Sequence, residues 1–340
     1  MTIMRTLSSW GEALPVPDAL SRVVIGSLVA RTDRALASGQ GDAAAFARAM
    51  AQRPIAQHTG AANAQHYEVP AAFFEQVLGR RRKYSSCYYR GSGDSLAEAE
   101  ETALALTAEH AGLADGQDIL ELGCGWGSLS LWLAERLPTS RIVSVSNSAS
   151  QRGYIEAQAK ARGLGNLRVV TADMNDFATP ERFDRVVSVE MFEHMANWRA
   201  LLARTRHWLK PDGRLFIHVF AHARGCYHFD VADSADWIAQ HFFTGGLMPS
   251  VQLAHQFPDL FAVEEEWRWS GEHYRRTAEH WLGNFDLNLP VIRPILREVY
   301  GQDAALWCRR WRLFFLATSG LFGHAGGDVW GVSHYRLKPA

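Results

Sequence analysis

The chain has 340 residues, 47% hydrophobic and 21% charged, long enough for one large domain or a catalytic domain with an appended subdomain, and too apolar for a disordered or collagen-like chain. Lys and Arg number 35 against 36 Asp and Glu, a formal net charge of −1, so no global basic field exists to hold a nucleic-acid backbone and no nucleic-acid partner is expected. Eleven of the 14 His lie from His194 onward and eight of the 12 Trp from Trp208 onward, which makes the second half rich in flat and titratable side chains.

A helix is expected from about Pro17, a turn at Gly39-Gln40-Gly41-Asp42 and then an Ala-rich helix. Residues 52–66 read as a polar connector. Residues 70–78 read as a helix with Phe73, Phe74, Val77 and Leu78 on one face. The dense charge run Arg80-Arg81-Arg82-Lys83 has a plain reading as a solvated helix end, where cations suit the carbonyl dipole. A contact with phosphate or a lipid headgroup is its sharper reading. Ser95 is placed to cap a helix from Leu96, with Glu98 in reach of a capping box. The pattern then becomes regular. Strands are expected at 118–122, 141–146, 167–171, 183–189 and 214–220, with helices at 128–137, 151–162 and 198–209 and a turn at 210–213. Strands alternating with helices imply right-handed crossovers and a doubly wound, mostly parallel α/β sheet. After Phe220 no period is visible until weak alternation at 261–269. Helices follow at about 271–286 and 290–322, and a final strand at 328–337. A long helical connection can deliver that strand antiparallel to the sheet edge.

The four Cys (Cys87, Cys124, Cys226, Cys308) are widely spaced with no CxxC pair, which reads as free thiols in a reducing compartment. No apolar run approaches the roughly 20 residues that span a bilayer. The segment preceding Val23 carries Glu12, Asp18 and two prolines, unlike the basic start of a signal peptide. The chain is therefore expected in the cytoplasm.

Glu121-Leu122-Gly123-Cys124-Gly125-Trp126-Gly127 follows the first sheet strand and opens a helix. Its glycines let the backbone approach a ligand closely, at the place where such sheets bind nucleotides. A nicotinamide cofactor would want GxGxxG and an acid at the end of the second strand. The loop is GxGxG instead, and the second strand ends in Ser146-Asn147-Ser148. No GK[ST] follows, so the loop is not a kinase-like P-loop. With Glu121 before it and Asp173 after the third strand, the loop resembles the S-adenosylmethionine (SAM) site of class I methyltransferases. In that family the loop faces the amino-acid part of SAM and the residue after the third strand meets the adenine amino group. The plain alternative for Asp173 is a helix N-cap.

Glu190-Met191-Phe192-Glu193-His194 follows the fourth strand. On a helix, Glu190, Glu193 and His194 share one face, and two carboxylates with an imidazole in a cleft form an acid–base kit. The plain reading is a capped helix start, which accounts for Glu190 and poorly for His194. His218 and His222 stand four apart on a strand with no HExxH motif, so no metal site is expected.

Together, Tyr84-Ser85-Ser86-Cys87-Tyr88-Tyr89, the glycine loop, Ser146-Asn147-Ser148 with Gln151, and Glu190 to Met195 resemble the cyclopropane fatty acid synthase superfamily. Phe242 to Gly246 with Met248-Pro249-Ser250, His273-Tyr274, Trp281, Trp311-Arg312 with Phe314-Phe315, and Leu321-Phe322-Gly323 are similar to its coclaurine N-methyltransferase branch. The resemblance covers about residues 63–338. It implies a Rossmann-like class I methyltransferase sheet of seven strands, mostly parallel with the last antiparallel. Residues 1–95 would be a helical lid or arm and 96–340 the methyltransferase domain, with 221–258 and 270–325 covering the substrate. SAM would be held by Tyr84, Ser85, Gly123, Gly125, Trp126, Gly127, Asn147, Gln151, Asp173 and Met174.

The resemblance leaves two chemistries. For a small amine acceptor, His194 is expected as the base, Glu193 as its orienter, and Glu190 as the group holding the ammonium or the cofactor. The alternative acceptor is an unsaturated lipid acyl chain, where a bound bicarbonate serves as base. That site would use Cys87, Glu193 and His218, with Phe220 where the family has Ile and no phenol in the region of Trp311 and Phe315. Trp281, Phe285, Trp311, Phe315 and Trp330 are the aromatic candidates for the substrate wall. Peripheral membrane contact and a homodimer are compatible with either chemistry. A SAM-binding regulator without turnover is a third class, against which the intact Glu190, Glu193 and His194 set argues.

Overall fold

Seven strands carry the site. The computed structural model describes residues 16–57, 69–229 and 236–340. Glu12, the first part of the expected lid and most of the expected 52–66 connector lie outside the described residues.

The strands are β1 Asp118–Leu122, β2 Arg141–Ser146, β3 Leu167–Thr171, β4 Phe183–Val189, β5 Leu209–His222, β6 Phe261–Ser270 and β7 Trp330–Pro339. Their spatial order is β3-β2-β1-β4-β5-β7-β6. The first five run parallel, and β7 lies antiparallel to both β5 and β6. The order reverses at β1, so the crevice between β1 and β4 opens beyond their C-terminal ends, where such sheets take ligands. β1 buries Ile119, Leu120 and Leu122 because helices cover both of its faces.

Two expectations change at the sheet's far side. The final strand is not the edge. Trp330 to Tyr335 are all buried, whereas β6 exposes Glu264, Glu265 and Glu266, and those charges blunt the edge against pairing with other chains. The turn expected at 210–213 is absorbed into a long β5, whose Leu209 pairs with Phe183 before a shift in register. Lys210 Nζ reaches both Asp118 and Asp184 at 2.8 Å and ties this segment to the starts of β1 and β4.

The helices are α1 Asp18–Ala37, α2 Ala43–Met50, α3 Ala71–Val77, α4 Leu96–Ala111, α5 Ser128–Arg136, α6 Ala149–Ala161, α7 Trp198–Trp208, α8 Trp237–His241, α9 Gly271–Leu287, α10 Leu289–Tyr300 and α11 Ala304–Phe322. Ser95 and Glu98 form the expected capping box on α4. The single helix expected over 290–322 divides at Gly301, whose φ of 56° with ψ of −121° suits only glycine. α9, α10 and α11 pack with α3 into an aromatic cluster above the sheet. α1 lies along α11, held by Arg312 between Asp18 and Asp286 and by Arg22 on Glu279.

The basic run is not a solvated helix end. α3 stops at Val77, and Arg81 pairs with Glu101 and Glu135 while Arg82 pairs with Glu75. Lys83 is 2% exposed. Glu101 and Glu135 on neighbouring helices draw Arg81 inward, a long-range pairing that local charge counting does not reveal, while Arg80 stays exposed.

Candidate active site

A cavity of about 190 Å³ opens where β1, β2, β3 and β4 end. Each strand hands over to a loop residue that faces it. After β1 these are Gly123, Gly125 and Trp126; after β2, Asn147 with Gln151 of α6; after β3, Asp173 and Met174; after β4, Glu190, Glu193 and His194. Tyr84 and Ser85 close one wall. Phe220 from β5, Phe243 and Thr244, Tyr274 and Trp281 from α9, and Phe314 from α11 close the other.

The loop needs its glycines for space. At Gly123, with φ 79°, an added Cβ would stand 2.6 Å from Met191 Cβ, so the loop and the β4 turn touch backbone to side chain. Gly127 was expected against the cofactor, but it does not line the cavity. It caps α5 with φ 76°, and an added Cβ would meet Ile155 Cγ1 at 2.6 Å. Its task is to bring α5 against α6. Glu121 is buried and accepts from Ser130 Oγ and Ser144 Oγ. Burial pushes its carboxyl up to about 7, against the pull of those two hydroxyls. Asp173 caps no helix. Its Oδ1 accepts the Asn175 N–H at 2.8 Å in a turn, and the residue faces the cavity.

The acid–base residues meet, though not on one helix. Glu190 takes a left-handed φ of 48°, and only Phe192–His194 form a helical turn, of the 3₁₀ type. The Glu190 N–H donates to the His218 carbonyl at 2.8 Å, which fixes the kink. Its carboxyl accepts from the Ser86 N–H at 2.9 Å and from the Tyr274 hydroxyl at 2.7 Å, and His218 Nε2 stands 3.2 Å away. Burial raises its pKa, opposed by the Lys83 charge and by the Ser86 and Tyr274 donors. Lys83 itself is buried, donating at 2.6 Å to Ser85 Oγ and to the Ser86 carbonyl, and burial lowers its ammonium.

Glu193 is the opposite case. It is 1% exposed, and neither carboxylate oxygen has a hydrogen-bond partner. Burial first, and then the Glu190 charge, push its pKa well above the usual carboxyl range. The expected Glu193-to-His194 bond is therefore not made. His194 is half-buried and stacks on Phe243 with ring centroids 4.5 Å apart.

Several expected site residues stand elsewhere. Cys87 is buried beside Tyr89 and Ala99, outside the cavity lining, and burial pushes its thiol up to about 12. The residue before it, Ser86, supplies the contact to Glu190. His218 reaches the site only through Glu190. Trp311 and Phe315 are fully buried against Phe73, Phe285 and each other. They project from the face of α11 that packs on α3 and α9, and Phe314, one residue round the helix, faces the cavity. Phe285 and Trp330 are core as well. The region of Trp311 and Phe315 holds no phenol, but Tyr274 brings one to Glu190 from α9. His273-Tyr274 was visible as part of the resemblance, but nothing local placed its hydroxyl on a carboxylate 84 residues away. Lys83 was missed because it sits in a run that looks solvated.

The cavity suits SAM on its own features. The loop at Gly125 leaves open space where a side chain would stand, and three largely buried carboxyls, Glu121, Glu190 and the unpartnered Glu193, line the cavity. Residues 56–331 match the family model for mycolic acid cyclopropane synthetase. The chain is 36% identical over 292 residues to (S)-coclaurine N-methyltransferase of Thalictrum flavum subsp. glaucum, covering 84% of this chain and 81% of that protein. It is 30% identical over 274 residues to the cyclopropane-fatty-acyl-phospholipid synthase of Escherichia coli (strain K12), covering 80% and 67%. A crystal structure of coclaurine N-methyltransferase bound to N-methylheliamine and SAH matches with a TM-score of 0.93 and 32% identity, over 99% of this chain and 100% of that one. A cyclopropane synthase from Mycobacterium tuberculosis shares the fold, with a TM-score of 0.69 and 22% identity over 84% and 99%. A chain that matches the family model over this span, and an SAH-bound relative along nearly its whole length, belongs to the mycolic acid cyclopropane synthetase family and is a SAM-dependent methyltransferase.

Proposed function

We propose that the enzyme methylates the nitrogen of a small amine. The observation that carries this reading is Glu193, a buried carboxyl with no partner facing a cavity whose other wall is aromatic. SAM supplies the electrophilic methyl group. An amine enters as an ammonium, and its nitrogen has no lone pair to offer until a proton leaves. In a dry cavity a neutral pair is favoured over an ion pair, because burial raises the carboxyl pKa and lowers the ammonium pKa. Burial keeps a proton on Glu193 before ligands enter; the positive sulfonium and ammonium draw it out through His194 to water, and the carboxylate so formed takes the proton from nitrogen. His194, half-buried and stacked on Phe243, then exchanges that proton with water. This changes the roles expected earlier: His194 relays, and Glu193 both holds the ammonium and takes its proton. Glu190, with the Ser86 and Tyr274 donors on it and the Lys83 charge nearby, is a fixed negative charge. The faces of Phe243, Trp281 and Phe314 stabilise the cationic product. Displacement itself gains most from positioning.

Supporting the cofactor assignments are the lining positions of Tyr84, Ser85, Gly123, Gly125, Trp126, Asn147, Gln151, Asp173 and Met174. We read residues 1–95 as a lid, since Ala56, Gln57 and Arg82 reach the cavity from that segment. We read 221–258 and 270–325 as the substrate cover, since they supply Phe243, Thr244, Tyr274, Trp281 and Phe314. The four cysteines are free thiols, in keeping with a cytoplasmic enzyme. No helix among the described residues is long and apolar enough to cross a membrane.

The test supplies SAM with a labelled methyl group and, separately, a panel of amines and phospholipid vesicles. Label is expected in amines, with no change on bicarbonate depletion. Label confined to acyl chains, and lost with bicarbonate, overturns the amine reading in favour of the lipid one.

A further inference from the structure

Three buried imidazoles leave the back of Glu190 and cross the sheet in line. His218 Nε2 stands 3.2 Å from Glu190 Oε1, His334 Nε2 stands 2.8 Å from His218 Nδ1, and His110 Nδ1 stands 2.8 Å from His334 Nδ1. His218 on β5 and His334 on β7 are register partners, and His110 lies in the last turn of α4. His218 and His334 are fully buried and His110 is 9% exposed.

A neutral imidazole has one N–H and one lone pair. Both nitrogens of His218 and of His334 are engaged, so the three N–H groups must all point the same way along the line. A single reversed ring would set two hydrogens, or two lone pairs, against each other in a buried gap. Only two arrangements are consistent. With Glu190 ionised, hydrogens sit on His218 Nε2, His334 Nε2 and His110 Nδ1, all pointing toward the carboxylate. With Glu190 protonated, every hydrogen moves to the other nitrogen. Ser86 and Tyr274 already donate to Glu190 and Lys83 lies close enough to act on it, which favours the first arrangement.

We infer that His334 and His110 are positioning residues: with His218 they form a one-way line that locks the His218 tautomer and holds Glu190 as a fixed, ionised carboxylate. Burial lowers all three imidazoles below their ordinary range, as neutral rings require. Of the three imidazoles, His110 at the outer end is the one with measurable exposure. His110 stacks on Trp267 of β6 at 4.0 Å and is influenced by Glu109 on its own helix, Glu265 on β6 and Arg336 on β7. Lys83 acts on His218 and His334. Protonating His110 adds a hydrogen at Nε2 and leaves the inward direction intact.

This proposal rests on Glu190 belonging to the methyl-transfer site, but its first test needs no acceptor. Nitrogen NMR of the full chain labelled in its histidine rings reads each tautomer. His218 and His334 are expected protonated at Nε2 and His110 at Nδ1, the minority form in water. The reverse set, or a mixture at His218, overturns the proposal and leaves the amine reading standing; a wrong acceptor leaves the tautomers unchanged. The second test compares His334→Gln with His334→Leu. A Gln amide can donate to His218 and accept from His110, and Leu can do neither. His334→Leu should lower kcat by about tenfold, leave KM for SAM within about twofold, and move the acid limb of the kcat profile to higher pH, because Glu190 loses support for its anion. His334→Gln should restore both. Equal losses with an unmoved limb overturn the positioning role. If His334→Leu does not fold, His110→Phe keeps an aromatic ring beside Trp267 and removes the outermost donor; His334 then keeps its Nε2 proton but the acid limb of kcat must still move to higher pH, and an unmoved limb counts against the line.

Discussion

Glu193→Gln tests the central physical claim about the site. The carboxyl is 1% exposed and unpartnered, and burial with the Glu190 charge raises its pKa well above the usual range. The folded enzyme therefore keeps a proton that the unfolded chain releases once pH passes the ordinary carboxyl value. Over that window the native state binds more protons than the unfolded one, so stability falls as pH rises, by roughly 1 kcal/mol per pH unit. Gln has the same shape and no proton to lose, so the variant escapes the slope. For a chain of this size roughly 1 kcal/mol moves Tm by about 2 °C. The variant should match the wild type near pH 4 and gain about 2 °C on it per pH unit above pH 5. Glu121 and Glu190 contribute slopes of the same sign to both proteins and largely cancel. Thermal unfolding without ligand, in buffers of low ionisation heat, measures the gap. Parallel Tm lines as pH rises above the ordinary carboxyl range would falsify the picture of a buried, proton-holding Glu193. On the activity side the same variant should lose about 10²- to 10⁴-fold in kcat, the span of a general base, with SAH binding retained.

Three further outcomes follow from the site. Tyr274→Phe keeps the ring stacked on Phe322 at 4.2 Å and removes a donor to Glu190. It should cost about 1 to 3 kcal/mol in denaturant unfolding and move the acid limb of kcat upward; an unmoved limb separates Glu190 from turnover. Gly127→Ala forces a left-handed φ on Ala and a Cβ 2.6 Å from Ile155. A loss of about 1 to 3 kcal/mol is expected, and a neutral result means that α5 and α6 shift apart freely. Asp173→Ala should weaken SAH binding by about tenfold in calorimetry while kcat at saturating SAM stays within about threefold. Unchanged affinity removes Asp173 from the cofactor site.

The first four strands were legible because each is a short run rich in Val, Ile and Leu between loops, most purely in β1, whose two covered faces leave little room for polar alternation. The glycine loop and Asp173 were legible for the same reason, since strand ends fix where loop residues stand. The arrangement after β4 was only half legible. Spacing brings Glu190, Glu193 and His194 near one another, but a helix does not start there, because Glu190 bonds back to β5 with a positive φ. Contacts made across long sequence separations were not legible at all. Tyr274 reaches Glu190 from α9, and β7 enters between β5 and β6. The choice of Phe314 over Trp311 depends on the rotation of α11, which aromatic content on every side of that helix does not fix. Lys83 shows the same limit, because composition cannot separate a solvated cation from one drawn under the site.

The place of β7 also sets an order of assembly. A ribosome delivers β5, then β6 and the cover helices, and β7 only afterwards, yet β7 must slide between β5 and β6. Until it arrives, β6 has no strand to join and His218 lacks its outward partner. The cofactor-binding half of the sheet can form as it emerges, but the segment bearing Glu190's support line is completed only after synthesis has passed His334. A nascent chain can thus acquire a glycine loop able to meet SAM well before it acquires a finished acceptor site.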